Sequence, residues 1–375
     1  MIRRLIIAVL SGALLSAAPL TDRAESTARA AAFATDPDAV ERHLAVWDLS
    51  AARSAAAALP EGPLRDFKAG AVAFYEAEYT RAEAQLARAL ASEELDDDDA
   101  EEAQHLLDLT RGARRALGEP TVLRSPDGKV ELVLASPKDA LIAPYLFEAM
   151  AAARDALGGT LGVWPDHPVR FEILDAPEKL ALVTPLTREN VYTTGTVGVT
   201  KYRRIMMLTP RIMPLGYPWI DTAVHEYVHY LLTLRTRNNA PVWVQEGLAK
   251  LLEERWRRPD PSPLAPPSAR LLRDAIRKDE LVTLDQMYPS VAMLPSQEQA
   301  ALAYAEVQTM LGFLLERRGG RGLGVLLDEI SRGTDAREAM AIAWGEPFDQ
   351  FHAEWLTYAR KEATARAARD PGKPL

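Results

Sequence analysis

The stretch VHEYVHYLLTLRTRNNAPVWVQEGLAK, residues 224–250, decides how the chain is read. It places His225 and His229, two of only six histidines, one helical turn apart around Glu226. Residues four apart on an α-helix point the same way, so the two imidazoles can hold one ion between them. Glu226 sits next to the first histidine and can reach a water on such an ion without binding the ion itself. The helix is otherwise well made. Pro218 suits a first-turn position, Asp221 suits the positive end of the helix dipole, and Ile220, Val224, Val228, Leu231 and Leu232 supply apolar packing. Buried neutral imidazoles must be satisfied, and a metal does that. HEYVH alone also describes an exposed helix face with an incidental Glu and His pair.

The distal half of the stretch changes the balance. A catalytic zinc needs three protein ligands and an open position, so a third nitrogen or oxygen ligand must come from elsewhere in the chain. A second helix opening at Pro241 presents Glu246, 17 positions after His229. Gly247 beside it allows a close helix contact.

HEYVH followed by Pro241, Trp243, Glu246, Gly247 and Ala249 resembles the gluzincin zinc metallopeptidases, and most closely the peptidase MA-like family of secreted bacterial proteins. The resemblance covers roughly residues 120–362. It implies that His225, His229 and Glu246 bind one Zn2+ per chain. It also implies that Glu226 is the general base, activating water at the zinc for hydrolysis of a peptide bond. Related gluzincin aminopeptidases carry a tyrosine on a helix well after the third ligand. Tyr304, in ALAYAEVQTMLGFL, stands at a comparable distance and is the candidate donor to the oxyanion, with Tyr227 and Tyr230 as weaker rivals. The alternative for Tyr304 is an ordinary core aromatic on an amphipathic helix.

Around this site the sequence reads as an α+β protein. TVLRSPDGKVELVLAS has alternating apolar residues on both sides of Ser125, Pro126, Asp127 and Gly128, a hairpin signature. A helix over about residues 139–157 and the strand PVRFEIL follow, the latter with Val169, Phe171 and Ile173 on one face. TTGTVGVTKYRRIMMLTP suggests a further strand pair. Gluzincins resemble one another in presenting a sheet edge to an extended substrate, and the strand around Val197 to Met207 is placed to do so. An interior strand is the other reading. Arg203 and Arg204 are expected to keep such an edge soluble.

Upstream, residues 37–117 are alanine-rich and helical in period. AGAVAFYEAEYTRAEAQLARAL sets Gly70, Tyr79, Ala82, Leu86 and Ala89 at offsets that resemble a tetratricopeptide unit. A weaker copy surrounds Trp47, Ala52 and Ala56, and a third helix spans roughly Ala100 to Leu117. An ordinary helical bundle reads as well as a repeat array. The acidic run Asp96 to Asp99 marks a helix start. Downstream, RRPDPSPLAPPSAR is a proline-rich loop before a helical tail, with its last helix from Phe348 to Glu362 and fraying from Ala363. GGRG at residues 319–322 joins helices. His43, His105, His167 and His352 lack partners at ligand spacing.

The bulk numbers set limits. With 375 residues, several domains are expected. A formal charge of -9 without a Lys/Arg block argues against nucleic acid. The absence of cysteine excludes disulfides, thiolate metal sites, a cysteine nucleophile and a lipoprotein anchor. MIRRLIIAVLSGALLSAAPL has the layout of a signal peptide, cleaved after Ala17 or Ala18. No later segment has eighteen uninterrupted apolar residues, so no membrane span is expected in the mature protein.

The expected order is a signal peptide over residues 1–18, helical hairpins over 30–118, an α+β zincin lobe over 120–258, a helical lobe over 270–362 and a flexible tail over 363–375. The expected protein is a secreted or periplasmic zinc metallopeptidase acting on a peptide or protein. The helical region is available to a protein partner. Two alternatives stand beside it. One is a catalytically silent, zinc-stabilised interaction protein, and the other is a zinc hydrolase of a non-peptide substrate.

Overall fold

A computed structural model of the protein describes residues 36–367, apart from the side chains of Thr193, Thr194 and Ala292. The signal-peptide reading of residues 1–18 lies outside the described residues. Helices α1 (Asp38–Ala45), α2 (Leu49–Ala58), α3 (Pro63–Tyr75), α4 (Tyr79–Ala91) and α5 (Asp97–Leu117) come first. Gly70, Tyr79, Ala82, Leu86 and Ala89 are all buried where α3 and α4 close on each other. Asp96 caps α5 by accepting from the Asp99 amide at 2.8 Å. The acidic run therefore does begin a helix.

A five-stranded mixed sheet follows, in the order β1-β2-β3-β5-β4. Strands β1 (Thr121–Arg124) and β2 (Val130–Leu134) form the expected antiparallel hairpin. Helix α6 (Ala143–Leu161) crosses to β3 (Val169–Leu174), which pairs parallel to β2. Two short helices, α7 (Pro177–Val183) and α8 (Arg188–Thr194), precede β4 (Gly198–Lys201) and β5 (Arg204–Leu208). The turn between these two strands is Tyr202 and Arg203, both at positive φ. β5 pairs parallel to β3, and β4 pairs antiparallel to β5. The stretch around Val197 to Met207 thus divides: β5 is interior, and β4 is the edge.

Side-chain alternation gives each sheet face a different partner. Val130, Leu132, Val169, Phe171, Ile173, Ile205 and Met207 share one core with α6 and with the helix that carries the two histidines. Val133, Leu174, Met206 and Leu208 share the other core with α1 to α5. The amino-terminal helices therefore cover one face of the sheet, which would otherwise be an exposed apolar surface. Arg204 is central to this junction and corrects the reading of it as a solubilising edge residue. It is 1% exposed, stacks 4.4 Å from the Phe74 ring centroid and donates to the Phe74 carbonyl at 2.9 Å. Its charge faces Glu172 at 3.8 Å, and Glu172 also accepts from the Tyr79 hydroxyl at 2.7 Å.

The remaining helices are α9 (Trp219–Thr236), α10 (Val242–Leu252), α11 (Pro266–Lys278), α12 (Gln297–Ser331), α13 (Ala336–Trp344) and α14 (Phe348–Ala367). α11 opens inside the proline-rich segment, because proline is at home in a first helical turn. Gly319, at φ 62° and ψ -167°, breaks α12 into two helical runs at the GGRG segment. The tail expected over 363–375 is corrected for its first part: α14 continues to Ala367, and Ala363 and Ala367 are buried, while residues 368–375 lie outside the described residues. No described helix is long and apolar enough to cross a membrane.

Candidate metal and catalytic site

Helix α9 brings His225 and His229 to one face, with their Nε2 atoms 3.2 Å apart. α10 delivers Glu246 against them, its Oε2 3.5 Å from both Nε2 atoms. Among the described residues, these three form the single group of histidine and carboxylate donors that converge within 4.8 Å of one another. α10 can also approach α12 because Gly247, next to Glu246, has no side chain. A β-carbon there would lie 2.7 Å from the carbonyl oxygen of Val307 and 3.0 Å from the Leu311 side chain, both on α12.

The donor set fits a metal on this structure's own terms. The Oε2 atom of Glu246 is buried and has no hydrogen-bond partner, a costly arrangement that a cation between the three donors would relieve. Two nitrogens and one carboxylate oxygen, with His225 on the wall of a cleft, match a catalytic zinc site. His225 is also aimed from behind. Its Nδ1 lies 3.0 Å from Oε2 of Glu253, a carboxylate that can only accept, so Nδ1 donates and Nε2 is the atom turned to the other two donors. Lys250 holds Glu253 at 2.8 Å.

The electrostatics agree. Burial pulls the His225 imidazolium down, but the adjacent carboxylates of Glu246 and Glu253 outweigh it and raise the pKa to about 9. Burial would raise Glu246, yet His229 and His225 hold it well below the usual carboxylate range. Both shifts follow from a pocket that favours positive charge among the three donors.

Glu226 is 7% exposed, and its carboxylate meets β4. The hydroxyl of Thr200 lies 2.8 Å from its Oε2. A cleft of about 720 Å³ runs past His225, Glu226 and Tyr304, with Val197 and Gly198 on one wall and Met293 to Gln297 on the other. Tyr304 thus reaches the same cleft as the base. Burial, then the carboxylates of Glu246, Glu226 and Glu253, push its pKa well above the ordinary tyrosine value, so it keeps its proton and can donate. Tyr227 and Tyr230 do not share this placement. Both are fully buried behind the helix, and the Tyr230 hydroxyl is 2.6 Å from Nε2 of His167.

Glu253, Thr200 and Gly198 were not singled out from the sequence. Glu246, Lys250 and Glu253 follow the 4-then-3 spacing of one helix face, which is the signal for Glu253. Thr200 depends on strand placement and has no such local signal.

A helical pair carrying two histidines and a glutamate, beside a mixed sheet whose edge strand flanks the cleft, defines a gluzincin-like peptidase domain. The model of the peptidase MA superfamily matches residues 151–361, more than half of the chain, and the protein belongs to that superfamily. It is accordingly a peptidase-like hydrolase of the metallopeptidase type. No curated protein matches the sequence.

Proposed function

We propose that the protein is a zinc-dependent peptidase, exported by the signal-like segment at its amino terminus. The observation that carries this reading is the convergence of His225, His229 and Glu246 on one point beside a cleft that also contains Glu226. The three converging residues would hold one zinc ion. Bound there, zinc supplies a Lewis acid that polarises a carbonyl and lowers the pKa of a water to about 7.

The chain's own residues supply the rest. Glu226 takes a proton from the attacking water and returns it to the leaving nitrogen. Tyr304 donates to the substrate oxygen as negative charge develops on it. β4, the edge strand of the sheet, is the element along which an extended peptide would pair in the cleft. A silent scaffold would have no use for a carboxylate kept in the cleft next to a complete ligand set, which is why the enzyme reading is preferred.

Metal analysis of the purified protein, with a digest of a broad peptide library, tests the proposal. One zinc per chain and cleavage of the library are expected. Full zinc occupancy in a His229→Ala variant would contradict the ligand set, and a zinc-loaded protein that cleaves nothing would contradict the peptidase activity.

A further inference from the structure

We infer that Thr200 is a positioning residue for Glu226, fixing the direction of its carboxylate from the strand that lines the cleft. The inference rests on the assignment of Glu226 as the proton acceptor.

Thr200 and Gly198 are two apart on β4, so both face the same side of the strand, and that side is the one Glu226 meets. The backbone of β4 is held by its pairing with β5, where Thr200 stands opposite Ile205 and Gly198 opposite Met207. At Gly198 the strand makes room: a β-carbon there would lie 2.9 Å from both Cγ and Oε1 of Glu226. At Thr200 it makes a bond. The hydroxyl is 2.8 Å from the carboxylate Oε2 and 2.8 Å from the main-chain oxygen of Glu226. It has one proton to give, and the charged oxygen is the stronger acceptor.

The two oxygens of the base are therefore not equivalent. Oε2 is tied to the strand, while Oε1 sits beside Gly198, a cleft-lining residue. A proton acceptor must aim one oxygen within about 3 Å of the proton it takes, and an anchored Oε2 fixes where Oε1 points. Threonine suits this task better than serine would. Its β-branch restricts χ1, so the hydroxyl is held in place before substrate arrives.

The competing explanation is that Thr200 only tethers the main chain of α9 through the Glu226 carbonyl. Thr200→Val and Thr200→Ser separate the two. Valine keeps the β-branched shape and the strand preference but cannot donate, and serine restores the donor. In a peptide-cleavage assay, Thr200→Val should lose about tenfold or more in kcat, since a hydrogen bond to a charged group is among the stronger ones. KM, zinc content and thermal midpoint should stay near wild type, and Thr200→Ser should recover most of the rate. An unchanged kcat in Thr200→Val, or a loss carried by zinc content or stability, would overturn the inference. A crystal structure of Thr200→Val gives a second readout independent of turnover. A carboxylate swung away from β4 supports the inference, and one that has not moved overturns it. If the wild type cleaves no peptide, the peptidase reading fails separately, and this structure still decides the role of Thr200.

Discussion

A β-carbon on Gly247 would lie 2.7 Å from the carbonyl oxygen of Val307. That contact sets the spacing between the helix carrying Glu246 and the helix carrying Tyr304. Neither backbone can yield without moving its neighbour, because Val307 is fully buried and Gly247 is buried beside it. Gly247→Ala is therefore expected to destabilise the fold by about 1–3 kcal/mol, as overpacking does. It should also weaken zinc binding, because Glu246 shifts with its helix. Denaturant unfolding and zinc titration of the variant check both effects.

Tyr304→Phe removes one hydroxyl from the cleft and leaves the ring. If that hydroxyl donates to the developing oxyanion, kcat should fall on the order of 100-fold to 1,000-fold. Zinc content and thermal midpoint should stay at wild-type values. Turnover equal to wild type would return Tyr304 to the role of a packing aromatic.

Glu306 gives a pH dependence unrelated to the site. It is 3% exposed, and its carboxyl accepts from the Val282 amide at 3.0 Å. Burial raises its pKa from 4.5 to about 8. Between those values the folded chain keeps a proton that the unfolded chain has lost, so stability falls as pH rises through that window. The slope can reach about 1.4 kcal/mol per pH unit for one such group. Glu306→Gln keeps an acceptor for Val282 and cannot ionise. Urea midpoints measured at both ends of the window should drop less in the variant than in the wild type.

What was legible in the sequence follows from which interactions are local. His225 and His229 announce themselves because helix geometry alone places them together. Glu246 was visible through the run of proline, tryptophan and glycine around it. The hairpin at Ser125 to Gly128 and the helix start at Asp96 were equally local. Arg204 was misread because its partners, Glu172 and Phe74, lie far away in sequence, and no pattern of alternation tells a buried arginine from an exposed one. Tyr227 and Tyr230 fall on helix positions turned well away from His225 and His229, so a helical wheel already weakens them as rivals to Tyr304. Which sheet face the amino-terminal helices would cover could not be read from any segment, because it depends on strand order. The same holds for Thr200, whose meaning comes only from β4 lying at the sheet edge against Glu226.

Whether Glu226 acts on water in a zinc-dependent cleavage is decided by library turnover of Glu226→Gln beside the wild type, both zinc-loaded. Glutamine keeps the size and a hydrogen-bonding tip but cannot take the proton. Equal zinc content and equal thermal midpoints are expected, with turnover reduced by a factor of about 100 to 10,000. Equal turnover by the two proteins would contradict that role of Glu226.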